Sequence, residues 1–187
     1  LFMRSRYWLY YALTFMGGAR RQIFMVFAAF LMVEKFGYDV TAITLLYMIN
    51  LIANIFIAPT LGRLIRRFGE RNTLIFEYIG LICVFTGYAF VDDHIIAAAL
   101  YVIDHLFFAF AISIKTYFQK IAAPKDIAST AGVSFTINHI AAVGLPAVFG
   151  FIWLGNPSMV FFIGAGMAVI SLLLALLIPR DPHEGNE

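Results

Sequence analysis

The sequence predicts an all-α membrane protein whose six transmembrane helices are arranged as two inverted three-helix repeats. Three observations carry this expectation. Of the 187 residues, 62% are hydrophobic and 13% charged, against roughly 25% charged in soluble domains, and mean hydropathy is +0.88. A soluble chain this short has no core large enough to hide so much apolar surface, whereas in lipid the outward faces are apolar too. Six stretches reach the about 20 apolar residues that a spanning helix needs. Polar residues enter those stretches with a period of three.

The first stretch, residues 7–33, starts beside Trp8 and carries Arg20, Arg21 and Gln22 at mid-depth, just after Gly17 and Gly18. Residues 40–61 follow and bear Asn50 and Asn54. The third, 73–91, has Glu77 near one end as its charge. The fourth, 95–118, brings Asp104 and His105 to mid-depth. The fifth, 127–154, holds Thr130, Ser134 and Asn138 at i, i+4 and i+8, on one helix face, with His139 beside them. Gly144, Pro146 and Gly150 predict a kink near its far end. The sixth, 159–178, has no charge. The order charged, amide-bearing, apolar thus occurs twice, and an odd number of spans per copy inverts the second against the first. Polar breaks are expected at 34–39, 62–72, 92–94, 119–126 and 155–158. The bundle is assigned to residues 1–180 and a polar tail to 181–187.

Charge placement sets the orientation. One side collects Arg4, Arg6, Arg63, Arg66, Arg67, Arg71, Lys120, Lys125 and Arg180, with Lys115 able to snorkel to it; the other has Lys35 among Glu34, Asp39, Asp92 and Asp93. Basic loops stay inside, so both ends of the chain are expected in the cytoplasm. Trp8 and Trp153 fall near span ends, where amphipathic rings settle. The single cysteine, Cys83, lies in an apolar run, which excludes a disulfide framework and a cysteine metal site. The chain begins at Leu1 rather than Met, which suggests a piece of a longer protein.

The break after the second span reads Gly62-Arg63-Leu64-Ile65-Arg66-Arg67-Phe68-Gly69-Glu70-Arg71, with Pro59 just upstream. It resembles the signature loop of the major facilitator superfamily: a glycine, an Asp-Arg pair, a second glycine and basic residues between the second and third helices. Gly62, Leu64, Arg67, Gly69 and Arg71 match. Arg66 stands at the family's Asp and Glu70 at one of its basic positions, as in the degenerate copy of that loop in the second half of the family's fold. The resemblance implies the C-terminal six helices of a twelve-helix transporter, similar to uncharacterised bacterial members, with Gly62, Arg66, Arg67, Gly69 and Arg71 as a conformational loop motif. It further implies that the first and fourth spans line a cavity, which sets Arg20, Arg21 and Gln22 opposite Asp104 and His105.

A mid-membrane Arg or Asp costs about 2.5–3.5 kcal/mol on insertion scales, so such residues face a cavity or a partner. Neighbours on a helix point about 100° apart, so Arg20 and Arg21 do not both aim into one cavity. One is expected to hold an anionic group of a substrate, for which the guanidinium fork suits carboxylate or phosphate. The other pairs with Asp104 or packs structurally. Gln22, Asn50, Asn54 and Asn138 are the remaining candidate substrate contacts, although interhelical hydrogen bonding is an ordinary role for such amides. Asp104 and His105 are the candidates for proton coupling, because burial and neutral-range titration suit that task.

These residues predict secondary active transport of a small solute, anionic and proton-coupled, by alternating access. A homodimeric six-helix channel or scaffold is the alternative. An intramembrane enzyme is disfavoured: His94, His105, His139 and His183 are scattered without metal-ligand spacing, and no nucleophile turn accompanies Ser129 or Ser134. No cofactor, metal or nucleic acid is expected. The expected partners are the solute, the lipid bilayer and an N-terminal six-helix half. The expected location is a bacterial inner membrane.

Overall fold

The computed structural model describes residues 3–186; Leu1, Phe2 and Glu187, at the limits of the predicted bundle and tail, lie outside that range. No β-strand occurs among the described residues. Five stretches are long and apolar enough to cross a membrane: Ser5–Glu34, Val40–Phe90, His94–Ile121, Pro124–Gly155 and Pro157–Leu176. The second is 51 residues long, more than twice what a hydrocarbon core about 30 Å thick accommodates. It breaks at Gly69, where φ is 80° and ψ 162°, a conformation that glycine adopts without a Cβ clash. Asn72 and Thr73 donate to the carbonyls of Phe68 (3.0 Å) and Gly69 (2.8 Å), so the break leaves those acceptors satisfied. The helices are α1 (Ser5–Glu34), α2 (residues 40–68), α3 (residues 70–90), α4 (His94–Ile121), α5 (Pro124–Gly155) and α6 (Pro157–Leu176).

One expectation is corrected by these bounds. The stretch 62–72 is not a loop: Gly62, Arg66 and Arg67 belong to α2 and Arg71 to α3, and Gly69 alone leaves helical geometry. Arginine is a good helix former, and its long stem carries the charge to water from a helix end, so this basic run needs no irregular backbone. The segment containing Gly144, Pro146 and Gly150 runs as part of one helix, α5.

Polar contacts gather the helix ends into two groups. At one end, Tyr7 of α1 donates to Asp126 of α5 at 2.9 Å and accepts from the Ala123 amide at 3.2 Å, and Arg4 pairs with Asp126. Lys120 of α4 reaches Glu70 of α3 at 3.0 Å. At the other end, Trp153 of α5 donates to Glu34 of α1 at 2.9 Å. Lys35 reaches the Val91 carbonyl at 2.5 Å and Asp92 at 2.7 Å, and Tyr38 donates to the His94 carbonyl at 2.8 Å. Ser158 donates to the Ala89 carbonyl at 3.0 Å. Successive helices therefore alternate in direction, with the arginine-rich segments at the first end. At the second, Asp39, Asp93 and Asn156 cap α2, α4 and α6 by accepting first-turn amides, which satisfies donors that a helix start leaves open.

The core runs along α1, α3 and α6. Leu13, Ile23, Leu81, Phe85 and Phe161 are fully buried there, and Tyr88 stacks on Phe161 with ring centroids 5.0 Å apart. By contrast, α2 turns most of its apolar side chains outward; Phe56 is 75% exposed.

Candidate functional site

Both helices expected to line a cavity depart from regular α-geometry near mid-depth. α1 contains a π-helical turn, Ile23–Ala28, directly after Gln22, and α4 contains a 3-10 turn, Ala109–Ala111, after Phe108. Such turns shift side-chain phase and recur at functional sites. Between α1, α2, α4 and α5 lies a cleft of about 510 Å³. Arg21, Asn54, His105, Lys115 and Asn138 bring charge and amide groups to it, and Phe24, Tyr47 and Phe108 are among its aromatic walls. Asn54 and His105 face each other across α2 and α4, with Nδ2 and Nε2 3.3 Å apart. Ser134 donates to the Tyr10 hydroxyl at 2.9 Å, and Asn138 Nδ2 donates to the Ser134 carbonyl at 3.0 Å. A Cβ on Gly18 would sit 2.7 Å from Asn138 Oδ1, so glycine there lets the amide reach the cleft.

Behind the cleft lies a second polar group, sealed from solvent. Arg20, Glu77, Asp104 and Ser171 are all fully buried. Arg20 Nη1 donates to Ser171 Oγ of α6, whose own hydrogen goes to the Met167 carbonyl at 2.8 Å. The guanidinium also lies over the Tyr78 ring, 4.6 Å from its centroid, a favourable cation–π position. The Glu77 and Asp104 carboxylates lie within electrostatic reach of Arg20. Neither accepts a hydrogen bond of regular geometry among the described residues, and the Nε and Nη2 groups of Arg20 are likewise unmatched. The Tyr88 hydroxyl stands beside Asp104.

The structure thus divides the predicted site residues. Arg21, Asn54, Asn138 and His105 line the cleft. Arg20 instead meets Tyr78 of α3 and Ser171 of α6, and Asp104 stands beside Tyr88 of α3. Asn50 is fully buried with its amide unmatched, and Gln22 is half-buried outside the cleft lining. Of the face on α5, Ser134 and Asn138 reach the cleft and Thr130 is buried. Trp153 is buried against Glu34 rather than lying free at the lipid interface. Sequence reasoning passed over Lys115, Tyr47 and Glu77. Lys115 reads as a snorkelling residue because it sits at the end of the fourth span, and Glu77 as an interfacial charge because it lies near the end of the third. Outside the helical spans, Asp93 has its carboxyl held below the ordinary value, chiefly by the hydrogen bond from the Ile96 amide and also by that from Ile95.

Residues 10–187 match the family model described as the Major Facilitator Superfamily. An uncharacterised MFS-type transporter of Methanocaldococcus jannaschii is 30% identical over 144 residues, covering 73% of this chain and 35% of that protein. The chain therefore matches about a third of the length of that curated relative. No solved structure matches it. With a match that runs through all six helices and every side chain of the cleft, the chain belongs to the major facilitator superfamily.

Proposed function

We propose that the chain is the C-terminal six-helix half of a secondary active transporter that moves a small anionic solute by alternating access, with its arginine-rich end in the cytoplasm. The observation that carries this reading is the cleft itself. Arg21 and Lys115 set positive charge, and Asn54, His105 and Asn138 set hydrogen-bonding groups, in a space of about 510 Å³ within an otherwise apolar bundle. Guanidinium and ammonium together favour carboxylate or phosphate over a neutral solute. The division of labour among helices supports two inverted repeats, α1–α3 and α4–α6. The first member of each brings charge to the cleft, the second brings an asparagine, and the third packs behind. His105, hydrogen-bonded to Asn54, is suited to exchanging a proton with the solute-bearing space.

The test is uptake by the full-length protein in proteoliposomes under an inward proton gradient, across a panel of carboxylates and phosphates. Losing a hydrogen bond to a charged group costs about 1.5–3 kcal/mol, so Arg21→Gln lowers uptake of the transported anion roughly 10- to 100-fold. Unchanged uptake by Arg21→Gln removes the binding role.

A further inference from the structure

We propose that Lys115 is a specificity-determining residue of the cleft, which together with Arg21 selects an organic anion with two negative charges over one with a single charge. The inference rests on the reading above and names the class of solute that the cleft takes. Its grounds are the charges in the cleft and the register of α1 against α4.

No acidic residue lines the cleft among the described residues, whereas Arg21 and Lys115 both do. Both side chains are exposed, and neither enters an ion pair among the described residues. Three other cations do have acids: Arg4 pairs with Asp126, Lys120 with Glu70 and Lys35 with Asp92. The cleft therefore turns two unanswered positive charges toward one space, within a bundle whose apolar surroundings make each of them costly. A singly charged solute answers one of the two. A doubly charged solute answers both.

Helix register brings the two cations onto one solute. A Cβ on Gly17 would sit 3.7 Å from Ile114 Cδ1, so α1 and α4 meet at the level of these two residues. Arg21 lies four residues beyond Gly17 and Lys115 one beyond Ile114, and the helices run in opposite directions. Their Cα atoms are thus on the order of 8 Å apart in depth. Side chains tilt toward the start of their own helix. α1 starts at the arginine-rich end and α4 finishes there, so the tilt carries Arg21 toward that end and Lys115 away from it. The two heads approach a common depth, where the guanidinium fork binds an oxyanion and the ammonium adds a point charge. The rings stand on the other side of Arg21. Phe24, three residues further along α1, packs against His105 and Phe108 with centroids 5.7 Å away in each case. The solute that fits has both charges at one end and an apolar body toward Phe24 and Phe108, as in a phosphate monoester or a dicarboxylate with neighbouring acids.

The test is calorimetric binding of three probes to the purified full-length protein at fixed ionic strength and neutral pH. Phenylacetate, phenylmalonate and phenyl phosphate share one ring and differ in charge. At least one of the two doubly charged probes binds about 10-fold or more tightly than phenylacetate, the value of one hydrogen bond to a charged group. Lys115→Gln lowers that preference by about the same factor, Lys115→Arg keeps it, and Arg21→Gln weakens every probe that binds. Tighter binding of phenyl phosphate than of phenylmalonate supports the site with one phosphate as the dianion, and the reverse order supports it with two carboxylates. Equal binding of phenylacetate and the doubly charged probes, or a preference that survives in Lys115→Gln, overturns the inference. Absence of binding by all three overturns it too. The reading above is decided separately, by uptake of other anions and its loss in Arg21→Gln.

Discussion

Arg20 and Arg21 are adjacent in sequence and live in different solvents. Arg21 lines an open cleft with His105 and Asn138, whereas Arg20 is fully buried against Tyr78 and Ser171. The roughly 100° turn between helical neighbours produces the whole difference. One helix thereby holds a charge for the solute and a charge for the bundle at the same depth. It follows that the two arginines divide by observable, one governing stability and the other governing transport. Arg20→Ala strands two buried acids, and breaking a buried charge pair costs about 3–5 kcal/mol. Arg21 has no such buried acid partner among the described residues, and Arg21→Ala changes stability by about 0.5 kcal/mol or less. Thermal unfolding of the detergent-solubilised full-length protein reads both. A midpoint for Arg20→Ala close to that of Arg21→Ala breaks the division.

The acidic residues sharpen the same contrast by degree of pairing. Asp126 is as buried as Glu77, but it accepts the Tyr7 hydroxyl and pairs with Arg4 at the arginine-rich end of the bundle. Its environment is satisfied by groups that it in turn satisfies. Asp126→Ala leaves the Tyr7 hydroxyl without its acceptor, a loss of about 1–3 kcal/mol, smaller than that for Arg20→Ala. The same unfolding experiment checks the order. A larger loss at Asp126 than at Arg20 places the stabilising polar group of this bundle at its end rather than at its middle.

Sequence alone located the helices well because the apolar run is a direct consequence of the solvent. Each polar break 34–39, 92–94 and 155–158 survives as a capped helix start, at Asp39, Asp93 and Asn156. Length and composition carry no information on helix phase, however. Arg20 and Arg21 were known to point apart, but which one met the cavity depended on how α1 packs on α3 and α6. Glu77 was hidden for a related reason: one acid near the end of an apolar span looks like an interfacial charge until the packing places it beside Arg20. The basic run 62–72 misled in the opposite sense, since polarity implies contact with water and not the loss of helix. Tyr7 and Asp126, 119 positions apart, left no local trace at all.

The mildest case is the acid that water reaches. Asp93 caps α4, accepting the amides of Ile95 at 2.8 Å and Ile96 at 3.0 Å. Those bonds favour the ionised form, so its carboxyl titrates below the ordinary value in the folded protein, the Ile96 amide being the larger cause. The sign follows from linkage. The stabilisation is fully present above the unfolded value, about pH 4, and is lost as pH falls through the lower folded value. Asp93→Asn retains an acceptor for the same amides but cannot titrate. The difference in unfolding midpoint between wild type and Asp93→Asn is therefore flat from neutral pH down to about pH 5 and shrinks only below about pH 4. Because Asp93 is open to solvent and Glu77 is not, this small, late, one-residue loss is the behaviour of a carboxylate whose partner is a helix end. His94, next along the chain, also favours the ionised carboxylate; a difference that already changes near neutral pH gives that neighbour rather than the helix end the larger share, and the contrast between buried and exposed acids then loses its outer reference point.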